Sequence, residues 1–596
     1  MSFVRRHIFV LCVLAALVAG LWLRRSALDM GFHGDDYVQI AMLEGKFPAP
    51  RSPLDLFRFA DVERDGQSVI DFGYDPWWSL PSLKMAMFRP LSSALIAFDH
   101  RVFAWRPVAQ HVHSMLWWVL MVGVCAWLFR MLLPLRVAVV ALILFVLEEA
   151  HTVPLAWLAN RSTLVSAAFG LLGLALHIRF RENPRPIHRA AEFVAFLLAL
   201  LGGEYAFSVV VYAITFEWLA VRGDVRERVK ALAPALGASL LCLVVGFILG
   251  FGVRGSGYYI SPLSSPFEFA RAALDRVPVL AGDLVWGIPA AFWVDGMPGF
   301  SNLLVGRRWQ HFIGLLALAA FALLTRYIEN RGQPERGIRW LAWGAVLSLL
   351  PAAGALPEDR TLVAASVGAC ALFAIVLVEG YDAAAAALRT RHLPPYLLSI
   401  ALAFVVAYVH LNLAWTRSVD QLRSLAWQIY VQRHWALDAD IPDSEGPKRN
   451  VFIVTGADFT TIANLPFVRL GYRHPLPRSY ERLSGALHVH EIVRTADNVI
   501  ELAVWSNELD QSMVGSLYRS QKARFRIGDS VKVGHFRVEV QRVEGPHPWR
   551  TRFTFQHSLD SPEYLFLHPG KEGLRRFKMP PVGQNLVLPP PARPHL

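Results

Sequence analysis

The chain has 596 residues, of which 54% are hydrophobic and only 18% charged, and its mean hydropathy is +0.36. That balance excludes an ordinary water-soluble globular protein and marks a polytopic membrane protein. The formal charge of +12 calls for no nucleic-acid partner, because most of the excess lies in short loops between apolar runs, where anionic lipid headgroups suffice.

Apolar runs near 8–23, 109–129, 134–147, 162–178, 191–202, 205–221, 231–252, 309–325, 340–354, 361–379 and 394–414 are long enough, or nearly so, to cross roughly 30 Å of hydrocarbon at 1.5 Å per residue. They predict about eleven spans in a region 1–415. With the N-terminus inside, the inner loops carry Arg130 and Arg136; Arg179, Arg181, Arg185 and Arg189; Arg222, Arg226, Arg228 and Lys230; Arg326, Arg331, Arg336 and Arg339; then Arg389 and Arg391. Every second loop is basic, as retention of Lys and Arg in the cytoplasm requires. A cleaved signal peptide is the alternative reading of the first run, which is short and led by Arg5 and Arg6. On this topology a first outer loop, 24–108, a second, 252–308, and the tail from 416 all lie outside the cytoplasm.

Cys12, Cys125, Cys242 and Cys370 all fall inside apolar runs at no metal-like spacing, so neither the outer loops nor the tail can form a disulfide. There is no internal repeat, no zinc-finger spacing and no phosphate-binding glycine loop. Residues 416–440 read as a partly amphipathic helix leaving the membrane. Beyond it, period-two alternation in Val451–Val454, Asn498–Val504, Ser530–Val533 and Phe536–Val540 predicts a β-rich domain over 416–596. Val451 to Gly456 followed by a helix start at Asp458-Phe459-Thr460-Thr461 favours a mixed α/β version. The proline-rich end, Pro580 to Pro594, reads as extended and poorly ordered.

The chemistry collects on one face. Directly after the first run comes Gly31-Phe32-His33-Gly34-Asp35-Asp36-Tyr37, two adjacent carboxylates where the chain leaves the bilayer, and ionisable groups at that depth are costly and functional or paired. The same outer side carries Phe88-Arg89-Pro90-Leu91, then His111 and His113, Glu148-Glu149-Ala150-His151, Trp157 to Arg161, Glu204, and Pro357-Glu358-Asp359-Arg360. Inner loops contain nothing comparable.

In this order the elements resemble GT-C fold glycosyltransferases that use polyprenyl-phosphate sugars. The likeness is to bacterial relatives of the protein O-mannosyltransferases and of the transmembrane tetratricopeptide mannosyltransferases. It covers roughly 1–415 and rests on Asp35-Asp36, Phe88 to Leu91 and the 148–161 segment. The tetratricopeptide repeats are absent, and Asp36 stands where the protein mannosyltransferases usually have Glu. The resemblance implies an inner-membrane hexosyltransferase whose active face and tail are periplasmic, and the family likeness favours mannose as its sugar. Its partners would be a polyprenyl-phosphate-linked sugar and a protein, glycan or lipid acceptor.

In such an enzyme Asp35, with Asp36 beside it, takes the proton from the attacking hydroxyl, a role worth typically about 10²–10⁴-fold. A single displacement inverts the anomeric carbon. Arg89, Arg161 and Arg360 would hold the phosphate, since guanidinium stays charged and binds phosphate oxygens two at a time. His33, His111, His113, Glu148, His151 and Glu204 would support the site. No cofactor is required; His33, Asp35, Asp36, Glu148 and His151 include suitable ligands for a divalent ion, but nothing fixes their spacing as a cage. The rival classes are a transporter or flippase of lipid-linked saccharide, which would spread charge through the depth of repeated halves, and an envelope-assembly scaffold.

Overall fold

The computed structural model describes residues 3–291, 304–331, 337–456, 462–486, 488–505, 517–520, 522–544, 547–571 and 573–590. The chain divides into two compact units. A membrane unit comprises Met1–Gly31, Phe88–Phe251 and Pro266–Leu425, and a sheet-rich unit comprises Phe32–Met87, Gly252–Ser265 and Ala426–Leu596. The expected outer loop 24–108 is thus shared between them, and the sheet-rich unit contains more than the tail.

In the membrane unit five helical stretches are long and apolar enough to cross a bilayer: Pro107–Leu132, Leu158–Glu182, Trp309–Asn330, Asp359–Thr390 and Pro394–Leu437. Two bent pairs, Leu135–Leu147 with Glu149–Ala156 at 50° and Val225–Ala231 with Ala233–Ile248 at 53°, raise the number to seven if each is one span. His7–Leu23 and Ala206–Leu219 are shorter apolar helices. Among the described residues this is fewer than the eleven or so expected. An apolar run does not register a break in its backbone. The run 340–354 divides into Arg339–Leu347 and Leu349–Ala352. The four cysteines are free and sit within helices.

Close packing explains how the broken pieces hold together. A Cβ on Gly368 would lie 2.3 Å from the Leu341 carbonyl oxygen, so only glycine lets these helices approach. The Tyr212 hydroxyl closes the same junction, donating to the Ala364 carbonyl at 2.8 Å and accepting from the Gly368 amide at 3.1 Å.

The sheet-rich unit is built on three sheets. Strands β1 (Arg58–Asp61), β2 (Lys84–Ala86) and β3 (Gly252–Arg254) form a small antiparallel sheet. The tail supplies β4 (Asn450–Ile453), β5 (Ser479–Arg482), β6 (Val489–Ala496), β7 (Val499–Trp505), β8 (Ser530–Val533), β9 (Phe536–Glu544), β10 (His547–Phe555), β11 (Tyr564–Gly570), β12 (Gly573–Arg576) and β13 (Asn585–Leu588). Six of these form an antiparallel sheet in the order β13-β6-β7-β10-β9-β8, and four a mixed sheet in the order β12-β11-β4-β5.

All four alternating stretches read from the sequence are strands. β4 and β5 are parallel neighbours joined across the helix Leu465–Gly471, the crossover that parallel pairing demands. The mixed α/β reading therefore holds, although the expected helix start at 458–461 lies outside the described residues. The proline-rich end is corrected in part: Asn585–Leu588, free of proline, can donate to a ladder and pairs with β6.

Aromatic side chains fill the core between the sheets, among them Trp77, Trp78, Phe452, Phe536, Phe553, Phe555, Tyr564 and Phe566. Phe452 stacks on Phe566 with ring centroids 5.2 Å apart. The 32–87 segment is pinned onto the tail by backbone acceptors: Trp77 Nε1 donates to the Leu483 carbonyl at 3.1 Å and Arg482 Nη2 to the Tyr74 carbonyl at 3.0 Å.

Candidate functional site

The Asp pair opens a helix, Asp35–Leu43, in the sheet-rich unit. Carboxylates in a first turn face unsatisfied amides and the positive end of the helix dipole. The two acids are not used alike. Asp36 is buried, 4% exposed, and its Oδ2 accepts from the His33 backbone amide at 2.9 Å, folding the turn back on itself. Asp35 is partly exposed. Gly34, between them and His33, has φ +50°, a left-handed conformation that a side chain resists, and its amide donates to Gln432 Oε1 at 3.1 Å. His33 contributes its backbone to this turn and is itself buried.

Residues that the sequence did not flag complete this neighbourhood. Asn464, fully buried, lies with its amide nitrogen beside Gly34, 3.9 Å from where a Cβ would stand. Neither polar atom of that amide has a hydrogen-bond partner among the described residues. Tyr37 packs against Tyr472 at 6.5 Å, and the Arg433 guanidinium lies 5.0 Å above the Tyr472 ring. Burial pushes the Tyr37 and Tyr74 phenols up, and in Tyr74 the Asp35 charge adds to the effect. Gln432, Arg433, Asn464 and Tyr472 lie some 400 residues downstream of the pair, beyond the reach of any local pattern.

The remaining candidates fall in the membrane unit, where each arginine has a different set of partners. Arg89 pairs with Glu204 through two parallel bonds, one of them Nε to Oε2 at 2.8 Å, and donates to Ser162 Oγ at 3.2 Å. Arg360 pairs with Glu358 at 2.6 Å and lies 5.0 Å above the Trp157 ring. Arg161 is buried at 3% exposure, donating through Nε to Ser114 Oγ at 2.7 Å and through Nη2 to the Gln110 carbonyl at 2.7 Å, with Asp99 on Nη1. A guanidinium engaged on all three nitrogens is suited to locking helices.

His113 belongs to that lock. Its Nδ1 lies 2.7 Å from Asp99 Oδ1 while Trp117 Nε1 donates to its Nε2 at 3.0 Å. His111 Nε2 reaches the Gly31 carbonyl at 3.4 Å. His151 accepts from Trp118 Nε1 at 3.4 Å and packs edge-on against Phe145. Glu148 lends its backbone carbonyl to Arg24 Nη2 at 2.7 Å.

A charged cluster joins Glu149 and Asp359, read from the sequence as part of the outer face, to Arg417 and Asp283, which the sequence did not flag. Arg417 meets Glu149 at 2.5 Å, Asp283 at 2.6 Å and Asp359 at 3.5 Å, and the Ala290 amide donates to both aspartates at 3.0 Å. Asp283 inside an otherwise apolar stretch, and Arg417 just past the last apolar run, were the available signals. As for the ion considered on His33, Asp35, Asp36, Glu148 and His151, these residues fall in two different units, and among the described residues no three His, Cys, Asp or Glu side chains are grouped to hold a metal.

No family profile matches the sequence, and no curated protein matches it. Solved structures do. The oligosaccharyltransferase of Archaeoglobus fulgidus, with a tethered acceptor peptide containing the NVT sequon, matches at 14% identity and TM-score 0.45 over 80% of this chain and 64% of its own. ArnT from Cupriavidus metallidurans, bound to undecaprenyl phosphate, matches at 14% identity and TM-score 0.37 over 80% of this chain and 86% of its own. The arabinofuranosyltransferase AftD from Mycobacteria matches at 16% identity and TM-score 0.34, over 93% of this chain and 42% of its own. These neighbours are GT-C glycosyltransferases. The chain spans less than two thirds of the archaeal enzyme's length.

Proposed function

We propose that the chain is a membrane glycosyltransferase that moves a sugar from a polyprenyl-phosphate donor to an extracytoplasmic acceptor, with inversion and with Asp35 as general base. The observation that carries this reading is the division of labour in the Asp pair. Asp36 spends an oxygen on the His33 amide and fixes the turn, while Asp35 stays accessible at the head of the helix. A base needs a held but reachable carboxylate, and this arrangement supplies one.

The leaving group is a lipid phosphate, already anionic, so it needs positive charge more than it needs an acid. Arg89 and Arg360 suit that role, being ion-paired at a partly exposed partner rather than sealed. Arg161 acts behind them by holding its helix. The likeness of motifs favours mannose as the sugar and an inner membrane with a periplasmic active face; the acceptor is a protein, an envelope glycan or a lipid.

The test is transfer by the purified, detergent-solubilised protein across a panel of polyprenyl-phosphate sugars, with the parent and Asp35→Asn side by side. The variant is expected to lose about 10²-fold or more of the rate while its unfolding midpoint stays put. Transfer by neither protein sinks the enzyme reading. Full activity in Asp35→Asn but not in Asp36→Asn reverses the assignment of the base.

A further inference from the structure

Arg89 and Glu204 form an unequal pair. The arginine side chain is 9% exposed and the glutamate 49%. Arg89 is held from several sides: Ser162 Oγ accepts from Nη1 at 3.2 Å, the Tyr205 ring lies 5.1 Å from Cζ, and a Cβ on Gly203 would stand 3.4 Å from Nε. Glu204 sits on the short turn between the helices Pro186–Gly202 and Ala206–Leu219, and half its side chain already faces out. The cation is therefore the fixed member and the anion the movable one.

The bonding is the two-pronged kind, with Nε and Nη2 each donating to one carboxylate oxygen. A phosphate monoester or diester presents two oxygens in the same way, and the same edge of a guanidinium binds either anion. A buried cation left bare is costly, so in the absence of a bound anion something must cover it. A carboxylate that can swing into water meets that need and can also give way.

We propose that Glu204 is an internal stand-in for the donor phosphate, occupying the Arg89 fork until the lipid phosphate displaces it and so setting the affinity for donor. The inference rests on the reading of Arg89 as a phosphate-binding residue. It makes Glu204 a competitor of the substrate, and a purely structural Glu204 would act with the opposite sign.

The experiment measures binding of undecaprenyl phosphate, in detergent, to the parent, to Glu204→Gln and to Arg89→Lys, with unfolding midpoints recorded for each. The parent is expected to bind, Arg89→Lys to bind more weakly, and Glu204→Gln to bind about tenfold more tightly, because an amide is a weaker rival for the guanidinium than a carboxylate. Equal or weaker binding by Glu204→Gln, with a parent that binds, overturns the stand-in and leaves the function standing. A parent that binds no undecaprenyl phosphate removes the function and the inference together. Inorganic phosphate and phosphatidylglycerol vesicles are the control ligands; the same tightening toward either shows a general anion hook and overturns the donor subsite. Should Glu204→Gln fail to fold, Glu204→Asp replaces it, since the shorter side chain loosens the fork. A smaller gain in affinity supports the inference, and none overturns it.

Discussion

Both units pair buried charges, the sheet-rich one at Arg58 with Asp61 and Arg51 with Asp65, but they differ in the acids left without a partner. In the membrane unit Arg161 closes on Asp99, Ser114 and a carbonyl, Arg417 on three carboxylates, and His177 lies between Glu192 at 2.8 Å and Glu217 at 2.9 Å, all three fully buried. In the sheet-rich unit Asp75 and Glu481 are fully buried with both carboxyl oxygens lacking a hydrogen-bond partner among the described residues, as is the Asn464 amide. Hydrocarbon offers no water to a group left over, so helices there must bring their partners with them. Outside it a buried acid has another remedy, which is to keep its proton. Burial first, and the Asp65 charge second, push the Asp75 carboxyl up to about 7 against the pull of Arg482 and Arg51, and burial drives Glu481 upward as well.

The contrast breaks most visibly at Arg161. Arg161→Leu leaves Asp99 buried without its cation and is expected to cost about 3–5 kcal/mol, seen as a lower unfolding midpoint in detergent. Arg161→Leu with Asp99→Leu should recover a large part of it. A single variant as stable as the parent would mean that the network does not hold the helices.

The pH profile of the sheet-rich unit comes next. The folded chain binds the Asp75 proton more tightly than the unfolded chain, whose carboxyl has its ordinary value near 4. Stability from this group is therefore greatest below about pH 4 and falls by up to about 1.4 kcal/mol per pH unit toward pH 7, then levels off. Asp75→Asn should remove that slope, so the gain of the variant over the parent grows from pH 4 to pH 7. A parallel pair of curves would refute the buried, proton-holding Asp75.

The smallest effect is expected at Asp36. Asp36→Asn keeps an acceptor for the His33 amide but loses the charge that strengthens the bond, worth about 1 kcal/mol, and transfer should fall by no more than roughly tenfold. A loss as deep as that of Asp35→Asn would show that both carboxylates act on the substrate.

The features legible in the sequence were those with a local period or a local cost. Apolar runs marked the membrane helices, alternation marked β4, β7, β8 and β9, and two adjacent carboxylates soon after the first apolar run drew attention to the Asp35-Asp36 turn. The break between Arg339–Leu347 and Leu349–Ala352 was missed because hydropathy averages over a kink. The partner of Arg161, Asp99, sits on another helix and was not visible, since sequence shows a charge but not what answers it. Asn464 and Gln432 were invisible for the same reason, and so was the grouping of 32–87 and 252–265 with the tail. Periodicity reports which face of a strand is apolar and says nothing about which strand will lie beside it.

The ties that pin the 32–87 segment to the tail set a clock on synthesis. Arg482 reaches back 408 residues to Tyr74, and Gln67 Nε2 reaches forward 465 residues to the Lys532 carbonyl. At about 5–20 residues per second the early segment waits roughly 20–90 s for its partners to be made. Trp77, Trp78 and the turn that presents Asp35 spend that interval without the strands that will enclose them. A chain stopped short of β5 would leave them so for good, open to proteases and to holding chaperones, with its membrane helices already in place.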